Sequence, residues 1–167
     1  MEKLKDKNPS DLVYIDESGI DDNEVYEYAW GRKGQRIYGM KHGHKKKRLS
    51  IICALNIKNI KAPFIFDGMC DRKVFEAYVE KVLVPELRVG QTVIMDNASF
   101  HKSNKIKEMI EKAGCELLYL PPYSPDLNLI EPHWFGIKHH IKKWLSYFER
   151  DLFQTAEYVF QKILCYR

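Results

Sequence analysis

The hydrophobic pattern of this chain changes period near Asp71, and that change limits the folds open to it. Before Asp71 the apolar residues come in unbroken, β-prone runs. Leu12 to Ile15 is one, and Leu49 to Ile57 is long enough to cross the middle of a sheet. Lys61 to Phe66 predicts an edge strand, and Tyr26 to Trp30 with Arg36 to Tyr38 predict an interrupted one. After Asp71 helical and extended segments alternate. Phe75, Tyr78, Val79, Val82 and Leu83 recur at helical spacing behind an Asp71 N-cap, and Thr92 to Met95 is a short strand. Ile106, Met109, Ile110 and Ala113 mark a second helix closed by Gly114, and Glu116 to Leu120 is the next strand. Leu127 to Leu145 predicts one long amphipathic helix, and Asp151 to Leu164 a last one. The expected fold is α/β: a mixed sheet, a β-meander followed by β-α crossovers, flanked by helices.

Composition narrows the class. With 167 residues, 45% of them hydrophobic, the chain can bury a real core, which excludes a disordered tail or a disulfide-stapled mini-protein. Cys53, Cys70, Cys115 and Cys165 show no pair at zinc-site or redox spacing and read as buried or free thiols in a reducing compartment. No apolar stretch reaches the roughly 18 residues that span a bilayer, and Met1 to Ser10 reads as a polar leader without a signal-peptide core. A soluble, cytoplasmic protein with no membrane partner is expected. The net charge of +4 conceals a strong asymmetry: residues 1–30 carry −6, residues 31–61 carry +10 and the remainder is neutral.

Two short strands each end in an aspartate, Asp16 and Asp96, at the end where open α/β sheets bind ligands. If their strands are neighbours, the two carboxylates converge, and a shared cation is the cheapest way to offset their repulsion. Oxygen donors without Cys or paired His favour Mg²⁺ or Mn²⁺ over zinc. Glu131 begins the long helix between Ile130 and Trp134, beside the core-facing edge, where its carboxylate can turn toward the sheet. Taken singly, each acid also fits a turn former or a helix-start acid.

The blocks Val13-Tyr14-Ile15-Asp16-Glu17-Ser18, Val93-Ile94-Met95-Asp96-Asn97-Ala98-Ser99-Phe100-His101 and Leu120-Pro121-Pro122-Tyr123-Ser124-Pro125-Asp126-Leu127-Asn128-Leu129-Ile130-Glu131 together resemble the catalytic blocks of a DDE transposase. The branch they resemble is the mariner superfamily in its bacterial insertion-sequence form, the IS six-thirty type, with 34 residues between Asp96 and Glu131. The resemblance covers about residues 11 to 145 and departs at Leu129, where the family commonly has proline. It implies an RNase H-like fold over residues 11–167 after the leader 1–10. It also implies that Asp16, Asp96 and Glu131 hold two Mg²⁺ ions, or Mn²⁺, for cleavage at transposon ends and transfer of the 3′-hydroxyl to target DNA. Asn97 and His101 match further positions of the second block. His101 is expected either at the scissile phosphate or hydrogen-bonded to a metal ligand. Asn128 is expected to steady its loop or to cap the helix that carries Glu131.

A DNA substrate calls for phosphate contacts. Lys41, Lys45, Lys46, Lys47 and Arg48 before the central strand, and Lys138 and Lys142 beyond Glu131, are the candidates, each with a solvated-surface alternative. Only about ten residues precede the first strand, so the helix-turn-helix units of the family are expected to be absent. End recognition then falls to an N-terminal-frame protein or a full-length transposase, with a homodimer on DNA and a place at the bacterial nucleoid implied. An inactive or regulatory fragment, and a host nuclease of the same fold, remain alternative readings of the same residues.

Overall fold

A computed structural model describes residues 7–21, 31–36 and 48–164. Strands β1 (Leu12–Asp21), β2 (Arg48–Asn56) and β3 (Asn59–Asp67) form an antiparallel meander. Helix α1 (Arg72–Tyr78) follows, its Asp71 cap accepting a hydrogen bond from the Val74 N–H at 2.9 Å. Then come β4 (Thr92–Met95), α2 (Asn104–Lys112), β5 (Glu116–Tyr119), α3 (Glu131–Trp144) and α4 (Leu152–Val159). The sheet order is β3-β2-β1-β4-β5, with β1–β4 and β4–β5 parallel. The sequence expectation of a meander followed by β-α crossovers holds. The strand expected over Tyr26–Trp30 and Arg36–Tyr38 lies outside the described residues, apart from Arg36, which is in no strand.

Alternation along β1 and β2 divides the core between the two faces. Leu12, Tyr14, Leu49, Ile51, Cys53 and Leu55 face Trp134, Ile137 and Ile141 of α3 and Ala156 and Val159 of α4. Val13, Ile15, Ile52 and Ala54 face Phe75 and Tyr78 of α1 and Ile106 and Ile110 of α2. Because helices cover both sides, every residue of β2 after Arg48 is buried, so its sequence is apolar apart from Ser50 and Asn56. Burying Ile137 and Ile141 contributes about 1.5–3 kcal/mol each.

Two local features depend on backbone chemistry. Gly114 ends α2 at φ +74°, where a Cβ would also lie 3.0 Å from Val89 Cγ1. The helix expected from Leu127 instead starts at Glu131, after a 3₁₀ turn over Pro125–Leu127. Pro132 has no N–H to give to the Asn128 carbonyl, so the helical ladder cannot run back through that turn. Pro132 suits the first turn of α3, where that donor is dispensable. Among the described residues no helix is long and apolar enough to cross a membrane.

Candidate active site

The register of two parallel neighbours sets the first two carboxylates. Tyr14 of β1 pairs with Ile94 of β4, so two residues further on Asp16 and Asp96 come level, just past the end of β4 but midway along β1, which runs on to Asp21 in its pairing with β2 instead of ending at Asp16 as expected. Asp16 shares the face of Tyr14, on which α3 packs, and Glu131 is the first residue of that helix. All three carboxylates line one cleft of about 410 Å³, with the loop Pro121–Pro125 as a wall. A larger groove of about 1260 Å³ at the β3 edge has a mixed lining, with Lys58, Lys61 and Lys81 beside Glu86, His133 and His140.

The two aspartates sit in different electrostatic settings. Asp16 is only 8% exposed, and burial pushes its carboxyl up to about 6, helped by the charges of Glu131 and Asp96. The Trp134 indole N–H, which donates to Asp16 Oδ2 at 2.9 Å, and the Glu17 backbone N–H pull the other way. Asp96 is held below the usual carboxylate range, chiefly by its hydrogen bond with His101. Its Oδ1 also accepts from the Ala98 N–H at 3.0 Å.

His101 is 1% exposed and bridges two acids. Its Nδ1 lies 2.5 Å from Asp96 Oδ1 and its Nε2 lies 3.2 Å from Glu17 Oε2. The ring packs against Phe75 at 4.1 Å between centroids, and Tyr119 Oη donates to the His101 carbonyl at 2.9 Å. Burial alone lowers the affinity of this ring for a proton. Hydrogen bonds to Asp96 and Glu17 outweigh it and raise the pKa to about 9, so both nitrogens donate at neutral pH. Of the two roles expected of His101, the structure shows the hydrogen bond to Asp96, the candidate metal ligand. Asn97 and Asn128 line the cleft. The expected helix cap at Asn128 is not made: Ile130 is the cap residue, no side chain caps α3, and the Glu131 N–H donates to the Asn128 backbone carbonyl at 3.0 Å. Asn128 is buried, and its Oδ1 has no hydrogen-bond partner.

Three of the candidate cations gather on the Glu131 side. The Lys138 ammonium is shifted down first by burial and then by Lys142 and Arg48, while Glu131 and Asp16 oppose this. Arg48 lies against β1 at Gly19, where a Cβ would come within 2.6 Å of its Nε. Lys41, Lys45, Lys46 and Lys47 lie outside the described residues.

Three carboxylates and the unpartnered amide oxygen of Asn128 form an all-oxygen donor set, fitting a hard divalent cation in chemical kind. Among the described residues no three His, Cys, Asp or Glu side chains are grouped so as to hold an ion as they stand. Closure therefore requires side-chain rotation, which the exposed Glu131 can supply. Two contributors escaped the sequence reading. Trp134 passed as a core residue, although a buried indole N–H needs an acceptor, and Glu17 passed as a polar follower of Asp16.

A family model described as DDE superfamily endonuclease matches residues 11–152. The transposable element Tcb2 transposase of Caenorhabditis briggsae is 33% identical over 101 residues, which are 58% of this chain and 37% of that protein. The chain thus spans well under half the length of this relative. Among solved structures, the mariner Mos1 paired end complex with Mg gives a TM-score of 0.66 at 16% identity, covering 95% of this chain and 55% of that one. The catalytic core domain of BIV integrase gives 0.53 at 13% identity, covering 92% and 85%. The fold is therefore RNase H-like.

Proposed function

Because the chain belongs to the DDE superfamily of endonucleases, we propose that it hydrolyses phosphodiester bonds at transposon ends and joins the freed 3′-hydroxyl to target DNA. One observation carries this reading: Asp16 from β1, Asp96 after β4 and Glu131 from α3 line a single cleft. We assign these three as the ligands of two Mg²⁺ ions, with Mn²⁺ as a substitute. Bound there, the ions supply a more acidic attacking water or 3′-hydroxyl and neutralise the leaving oxygen.

The rest of the chemistry belongs to the chain. Trp134 orients Asp16 through its indole N–H, and His101, itself held by Glu17, fixes the rotamer of Asp96. All three are positioning residues. Arg48, Lys138 and Lys142 offset the phosphate charge that the carboxylates repel. Residues 11–167 form the catalytic domain in this reading. Recognition of the element ends comes from outside those residues, and two copies assemble on DNA at the bacterial nucleoid. The insertion-sequence branch rests on the spacing of Asp96 and Glu131 and on the Pro-Tyr-Ser-Pro-Asp-Leu-Asn block, since the curated relative is a nematode protein.

The test is cleavage and strand transfer on pre-nicked duplexes from the flanks of the coding sequence, in Mg²⁺ and in Mn²⁺, with Asp96→Asn alongside. Activity in the wild type and its loss in the variant are expected. Equal activity in both sinks the assignment, and DNA binding without cleavage in either ion identifies a regulatory fragment instead.

A further inference from the structure

Tyr123 is the most exposed of the large hydrophobic side chains among the described residues, at 102% relative accessibility. Its backbone sits at φ +57°, a left-handed conformation that bulky residues avoid and that Gly or Asn adopts more readily. Folding alone gains little from this residue here, because the ring is open to solvent and the backbone is strained. The backbone that carries the ring is nonetheless held in place. Pro121, Pro122 and Pro125 fix φ around it, Ser124 Oγ donates to the Pro122 carbonyl at 3.3 Å, and the loop ends on the buried Asn128. That loop walls the cleft lined by Asp16, Asp96 and Glu131. Phe135, one helical turn beyond Glu131, is 76% exposed but already stacks on His139, so Tyr123 is the free aromatic face at the site.

We propose that Tyr123 is a stacking platform for an unpaired nucleobase next to the phosphate seated over the three carboxylates. The inference rests on the reading that the substrate is DNA, and it adds which part of the DNA the loop engages. A tyrosine ring on a fixed backbone has only two side-chain rotations to lose when a base covers it, and every base offers a π-face, so the contact tolerates any sequence. A base inside a duplex already has both faces stacked. The ligand is therefore a frayed or single-stranded nucleotide at the broken end, while Arg48, Lys138 and Lys142 hold the charged backbone beside it.

The experiment titrates the full chain, with Ca²⁺ in place of Mg²⁺, against a blunt duplex and against the same duplex with a short 3′ extension. The extension carries 2-aminopurine at its first unpaired position. Wild type is expected to bind the extended DNA about 10-fold more tightly and to quench the probe. Tyr123→Phe should retain both effects. Tyr123→Asn suits the left-handed backbone but lacks a ring; it should lose both, while its affinity for blunt duplex and its salt dependence stay unchanged. Retention of preference and quenching by Tyr123→Asn overturns the proposal. So does a wild type that binds both duplexes equally, and that result leaves the DNA-cutting reading intact. A wild type that binds neither overturns both.

Discussion

The indole Nε1–H of Trp134 donates to Oδ2 of Asp16 at 2.9 Å, joining residues 118 positions apart. Trp134 lies three residues after Glu131 on α3, so one helix both presents the third carboxylate and orients the first. This bond also ties α3 to the middle of β1, beside the cleft.

Trp134→Phe keeps most of the packing and removes the donor. The lost hydrogen bond should cost about 1–3 kcal/mol at pH 8, where Asp16 is ionised, and less at pH 5, where a neutral carboxyl accepts more weakly. Urea unfolding at the two pH values measures the difference. The same loss at both would show that the contact has no charge-assisted component.

Asp16→Asn should stabilise the metal-free protein while abolishing cleavage. The folded carboxyl titrates at about 6 against an ordinary 3.8, so the native state disfavours its charge. That penalty is absent below pH 3.8 and fully present above about 6, where it reaches up to about 3 kcal/mol. The variant should therefore melt higher than wild type at pH 8 and level with it near pH 3.5. A constant offset across that range would contradict the assigned pKa.

Glu17→Gln tests the other arm of the site. His101 is raised from 6.5 to about 9, so its charged contacts contribute fully below pH 6.5 and are lost as pH rises through about 9. Replacing Glu17 should cost about 1–2 kcal/mol at pH 6 and close to nothing at pH 10. The imidazole resonances of His101 should titrate near pH 9 in wild type and lower in the variant. Unchanged titration would exclude Glu17 as its partner.

Lys138→Ala and Lys142→Ala should weaken DNA binding through phosphate contacts alone. Each removed contact is expected to lower the slope of log affinity against log salt concentration by about 0.9, with little effect on base preference. A slope that stays unchanged in the double variant would return both lysines to the solvated face of α3.

Much of this architecture was legible because it is local. The Asp71 cap, the left-handed Gly114 and the strand Thr92–Met95 each depend on residues within about four positions, and they occur where the periodicity puts them. The largely apolar run of β2, which does not alternate with exposed polar residues, announced a strand covered on both faces. The start of α3 was misplaced because Leu127 continues the apolar stripe, while the missing N–H of Pro132 decides the hydrogen bonding. The sequence reading placed Asp96 and Glu131 at element ends, where the structure also has them, but it ended β1 at Asp16, whereas that strand runs on through Asp21 because Glu17 to Asp21 stay paired with β2.

The chain itself therefore determined which segments are strands and helices, and that Asp96 and Glu131 stand at the ends of two of them. Only the tertiary structure decided what surrounds those acids. Asp16 and Asp96 come level because β1 and β4 pair in parallel, a choice governed by burying both faces of the sheet at once. Trp134 reaches Asp16 across 118 positions and Glu17 reaches His101 across 84, and these hydrogen bonds form only where packing brings the distant segments together. Periodicity reports the direction a side chain takes from its own backbone, whereas charge, burial and hydrogen bonding depend on what the folded chain brings opposite it.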